Sequence, residues 1–158
     1  MTLARQLVQT FRALALHALP TDVAQAAALH FTDALGVGLA ASASRSGAWW
    51  FQAGAQWARG GVATVLGQRE GAGPADAAMV NGGLIHSLEF DDTHAGSIMH
   101  GSAVVATAAL AAAESADAPV SAMLGAYARG YEALILLGLA APGRFHARGD
   151  RKSTRLNS

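Results

Sequence analysis

Residues 81–102 read N-G-G-L-I-H-S-L-E-F-D-D-T-H-A-G-S-I-M-H-G-S. Glu89, Asp91, Asp92, His86, His94 and His100 fall within fifteen positions of this stretch, in a chain with only eleven acids and six histidines. So many proton carriers in one place point to chemistry or ion binding rather than to packing. A carboxylate beside Phe90 could serve as a base, and His100 stands just before a helix start, whose free N–H groups attract anions. Thr93, Ser97 and Ser102 supply hydroxyls. This set suits proton removal next to a carboxylate, followed by loss or relocation of a group.

Three other readings compete. Carboxylates with histidines also describe a divalent-metal site, but no H-E-x-x-H or comparable spacing is present. A structural reading has Asp92 capping a helix and the histidines solvated. Ser-His-Asp catalysis lacks the G-x-S-x-G elbow.

The elements that must hold this stretch read as helices. Leu3, Leu7, Phe11 and Leu14 recur at helical spacing over 3–17. Pro20-Thr21-Asp22 stops that helix and starts a second over 22–41, with Thr21 as N-cap and Phe31, Leu35 and Leu39 in one row. Within it Gly36–Ala41 matches G-x-G-x-x-A, but it ends a helical pattern instead of following a strand, so close helix packing explains it. Residues 48–59, with Trp49, Trp50, Phe51 and Trp57, form a third helix. V-A-T-V-L at 62–66 is the one strand expected, and Gly71–Pro74 a turn. A fourth helix spans 74–88, with Pro74 at its first position and Gly82 and Gly83 inside it. Residues 90–101 are loop. Ser102 caps a fifth helix over 103–116. Pro119 opens a sixth, to 141, that buries Leu124, Tyr127, Tyr131, Ile135 and Leu139. The fold expected is therefore all-α, a helical bundle with at most one short β-hairpin near 62–70.

Composition narrows the class. A 52% hydrophobic, 14% charged chain with zero formal net charge is not disordered, and without a basic run it is not built for nucleic acid. The absence of cysteine removes disulfides and thiolate chemistry. No signal pattern opens the chain, and the apolar runs at 103–113 and 133–141 are too short to cross a bilayer. The expectation is a soluble cytoplasmic protein without a membrane partner. Lys152, the single lysine, stands in a polar final segment, 150–158, unlike the alanine- and leucine-rich 1–149. The expected division is a helical domain over 1–149 and a foreign or disordered tail over 150–158.

Asn81-Gly82, His86, E-F-D-D-T-H at 89–94 and His100-x-Ser102 before an alanine-rich helix ending in Ala113-Glu114 resemble the MmgE/PrpD family. T-D-A-L-G-V-G-L-A at 32–40 and A-T-V-L-G at 63–67 look like its flanking segments. The resemblance spans about residues 3–149. It implies an α-helical first domain of a homodimeric, cofactor- and metal-independent lyase. The substrates it implies are small di- or tricarboxylates such as 2-methylcitrate or cis-aconitate; epimerisation of an amino-dicarboxylate is the alternative. Carried over, Glu89, Thr93 and His100 are the catalytic residues, and Asp91, Asp92, His94 and Ser102 lie in the same motif as substrate contacts. Two departures stand out. Glu89 replaces the family's aspartate and is one methylene longer, and Gly101 replaces a proline, which loosens that turn. Family members are much longer, with a further active-site histidine just after a segment like Arg144–Gly149 and later lysines. The chain is accordingly expected to be an N-terminal fragment, inactive alone, with exposed helix faces that make it associate. A non-catalytic, self-associating remnant is the remaining alternative.

Overall fold

The computed structural model describes residues 2–14, 19–141 and 144. Among them lie six helices: α1 (Leu3–Leu14), α2 (Thr21–Ser42), α3 (Ala48–Trp57), α4 (Pro74–His86), α5 (Gly101–Ser115) and α6 (Val120–Leu139). The chain is all-α over these residues. The expected extension of α1 to residue 17, the end of α6 at Pro142-Gly143 and the polar tail lie outside them.

α4 is the central helix. Ala77, Val80, Asn81, Leu84 and Ile85 are buried on it, the i, i+3, i+4, i+7, i+8 stripe of a core helix. It packs against α5, α2 and α3, while α6 covers α5 and α2. Small residues set how closely these helices meet. A Cβ on Gly83 would lie 2.1 Å from the Trp50 ring, and one on Gly82 2.8 Å from the Ala103 carbonyl oxygen. The mid-helix glycines thus make room for α3 and α5, which offsets their cost in helix propensity. Of the G-x-G pair in α2, Gly38 is pressed against Leu66 and Ile85, whereas Gly36 faces open space.

Several boundaries differ from expectation. α2 begins at Thr21 itself, with Pro20 in the cap position and no side-chain cap bond. Proline fixes φ and lacks an N–H, so it enters a helix at no hydrogen-bond cost, and Thr21 is not the cap. Leu139, expected to be buried on α6, is exposed at the helix end.

The expected strand at 62–66 is not a strand. Ala63 and Ala72 form one isolated antiparallel bridge. The rest of the segment is satisfied by helix side chains. Asn81 Oδ1 accepts from Leu66 N–H (2.8 Å), Asn81 Nδ2 donates to Thr64 O (2.8 Å), and Glu114 Oε2 accepts from Thr64 N–H (2.7 Å). With these groups bound to α4 and α5, no ladder extends from the bridge.

α2, at 22 residues, is the one described helix long and apolar enough to cross a membrane by length and composition. The apolar runs in the sequence did not single it out. Here it contributes Ala27, Phe31, Ala34, Gly38 and Ala41 to the core.

Candidate functional site

α4 ends at His86 and α5 starts at Gly101, so the two helices packed at the centre are joined by residues 87–100. The loop must reverse direction at once. It does so at Glu89, whose φ is +56° and whose N–H donates to His86 O (3.3 Å). That left-handed turn leaves Glu89 and Phe90 exposed and carries Asp91 back beneath the helix ends.

Asp91 is the hub. Its side chain has 0% relative exposure, and its Oδ2 lies 2.9 Å from His86 Nδ1 and 3.2 Å from His100 Nδ1. The two imidazoles meet edge to face, 5.0 Å between centroids and 78° between planes. Thr93 Oγ1 stands 3.3 Å from His100 Nδ1. Asp91 Oδ1 is buried with no hydrogen-bond partner. His86, Asp91 and His100 offer ligand atoms within 4.8 Å of one another, a two-histidine, one-carboxylate set of the type that can hold a divalent cation.

Asp92 faces the other way, toward α5 and α6. Its Oδ1 accepts from Ser102 N–H (3.0 Å), which satisfies one of the free N–H groups in the first turn of α5. The structural reading of Asp92 as a cap describes this contact. The sequence expectation of Ser102 as N-cap does not hold: His100 occupies that position. The Ser102 hydroxyl instead pairs with Tyr127 OH at 2.6 Å, fully inside the protein. Phe31 and Tyr131 pack edge to face on Tyr127. Burial pushes the Tyr127 phenol from 10.0 up to about 12. Burial, and then the neighbouring Asp92 carboxylate, holds the Tyr131 phenol well above its ordinary value.

His94 is drawn into its own turn. Its Nδ1 accepts from Ser97 N–H (3.2 Å) and lies 3.0 Å from Ser97 Oγ, while the His94 backbone pairs with Met99. Of the residues expected to act, Thr93 and His100 are therefore together, with Asp91 beneath them. Glu89 makes no side-chain hydrogen bond or ion pair with a described residue. Asp92 and Ser102 are used in packing α5 against α6. Gly101 is not a loosened turn: a Cβ there would fall 2.2 Å from the Tyr131 ring, so the ring takes the space.

Sequence reasoning left out two features. His86 lay in the motif but was given no role; its spacing of five from Asp91 crosses the helix end and matches no periodic pattern. Tyr127 and Tyr131 were read as core positions only. Two phenols one turn apart on a helix of small and aliphatic residues were the available signal, since a buried O–H needs a partner.

Fold and site define a class: a helical domain in which one inter-helix loop sets a buried carboxylate under two histidines. The model of the MmgE/PrpD N-terminal domain matches residues 5–154, a span that enters the polar final segment, and the chain belongs to the MmgE/PrpD family. No curated protein and no solved structure matches it.

Proposed function

We propose that this domain supplies the acid–histidine part of a lyase site that removes water or carbon dioxide from a small di- or tricarboxylate, such as 2-methylcitrate or cis-aconitate. The observation that carries the reading is the placement of His100, Thr93 and buried Asp91 at the meeting of α4 and α5. His100 exchanges protons with the substrate, and Thr93 hydrogen-bonds a substrate carboxylate. Glu89, at the rim, contacts or deprotonates the substrate once it is bound. The proposed chemistry is proton transfer between side chains and substrate, with no cofactor, in a cytoplasmic homodimer. Epimerisation of an amino-dicarboxylate uses the same groups without loss of a group.

Assay of the protein in its full-length form with 2-methylcitrate, cis-aconitate and an amino-dicarboxylate tests this. His100→Ala is expected to lower turnover by about 10² or more. Retained turnover in that variant rejects the role of His100. No turnover by the full-length form favours the non-catalytic reading, turnover by the 158-residue chain alone counts against the expectation that it is inactive by itself, and inversion without release of water or carbon dioxide favours the epimerase.

A further inference from the structure

The two contacts on Asp91 fix more than position. One carboxylate oxygen has two lone pairs, and here two imidazole Nδ1 atoms face the same Oδ2, at 2.9 and 3.2 Å. An ionised carboxylate brings no proton to either contact, so each ring must supply one. A bare Nδ1 would set lone pair against lone pair beside a side chain with 0% exposure, where no water relieves it. A protonated carboxyl would serve only one of the two rings. Thr93 Oγ1, at 3.3 Å from His100 Nδ1, offers the opposite arrangement, a hydroxyl donating to a bare nitrogen. That arrangement would leave the same nitrogen unprotonated against Asp91, so the hydroxyl oxygen is a second, weaker acceptor for the Nδ1 proton.

We infer that Asp91 is a shared tautomer lock. It holds His86 and His100 together as Nδ1–H imidazoles, which leaves the Nε2 atom of each ring as a proton acceptor and makes His86 the second base of the site. A neutral imidazole in water prefers the Nε2–H form, so the lock inverts the ordinary preference of both rings. Asp91 acts through the rings and is a positioning residue. The inference rests on the site proposed above and gives it the second proton carrier that dehydration requires. One Nε2 takes the carbon-bound proton, and the C–H electron pair becomes the new π bond. The C–O pair leaves on oxygen, and the other ring, entering as imidazolium, gives its Nε2 proton to form water. The Nδ1–H bonds to Asp91 persist throughout.

Tautomers can be read directly, without turnover, so failure here is distinguishable from failure of the proposed reaction. The test is a long-range ¹H–¹⁵N correlation of the imidazoles in the ¹⁵N-labelled chain at about pH 8, above the ordinary histidine range. His86→Ala and His100→Ala assign the signals. Both rings are expected with Nδ1 protonated and Nε2 bare, while His30, exposed on α2, shows the Nε2–H form. Asp91→Ala, checked for folding by circular dichroism, should return both to Nε2–H; should it not fold, the spectrum of the unaltered chain decides alone. An Nε2–H signal from either ring in the unaltered chain overturns the lock.

Discussion

Glu89 and Asp91 are separated by one residue and meet opposite environments. Glu89 takes φ +56°, a conformation that costs a side-chain-bearing residue ~1–2 kcal/mol. Glycine there removes that cost but adds ~0.5–1 kcal/mol of backbone entropy. Glu89→Gly should therefore raise stability by roughly 0.5–1 kcal/mol, seen as a higher urea midpoint. If Glu89 meets the substrate, the same change lowers turnover, the mark of a residue kept for function at a cost in stability. A gain in stability with unchanged turnover would remove Glu89 from the site. Ser102 and Tyr127 make the opposite case. Their 2.6 Å pair is buried, so Ser102→Ala strands the phenol and should cost about 1–3 kcal/mol. Tyr127 also sets a pH dependence. Between 10.0 and about 12 the unfolded chain loses a proton that the folded chain keeps, so stability falls as pH rises through that window. Urea midpoints measured from pH 9 to 12 should show this fall, and Tyr127→Phe should lessen it, leaving the part that the raised Tyr131 phenol contributes in the same direction.

At the scale of helices, the α4–α5 pair is defined by what is missing from its glycines. Gly83→Ala gains ~1 kcal/mol in propensity but drives a methyl to 2.1 Å from Trp50, and overpacking costs ~1–3 kcal/mol. The net change should be a loss. Gly36→Ala in α2 meets nothing within 4 Å and should gain up to ~1 kcal/mol. Thermal unfolding of the two variants side by side checks the assignment; equal shifts would mean that close packing does not explain Gly83. Asn81 joins the elements differently. It stands on α4 and holds the 64–66 segment by a donor and an acceptor, so its place in the N-G motif is occupied by structure. This is also why the absence of a strand was not legible from V-A-T-V-L. Alternation and β-branching describe a segment ready to pair, but they do not say whether a strand or a helix side chain will take its backbone groups.

Across the whole molecule, apolar residues remain on the outside. Leu3 is 71% exposed and Trp49 73%, and Leu136 and Leu137 of α6 are open as well. α1 has a helical apolar face, yet among the described residues α6 is the one helix it touches. The chain should therefore self-associate, eluting from size exclusion ahead of a 16.1 kDa globular monomer, and more so at higher concentration. A sharp monomer peak independent of concentration would count against this.

The number and order of the described helices followed from the sequence alone, because 3.6-residue periodicity, proline and glycine act within a few residues of where they stand. The gathering of acids and histidines at 86–100 was visible for the same reason. Which carboxylate serves which group was not. Asp91 beneath the histidines, Asp92 under α5 and Glu89 in solvent differ by which way each points after a left-handed turn, and that depends on where α4 and α5 dock. Docking is set by the volumes of residues far apart in the chain, Trp50 against Gly83 and Tyr131 against Gly101, and no local pattern encodes those meetings.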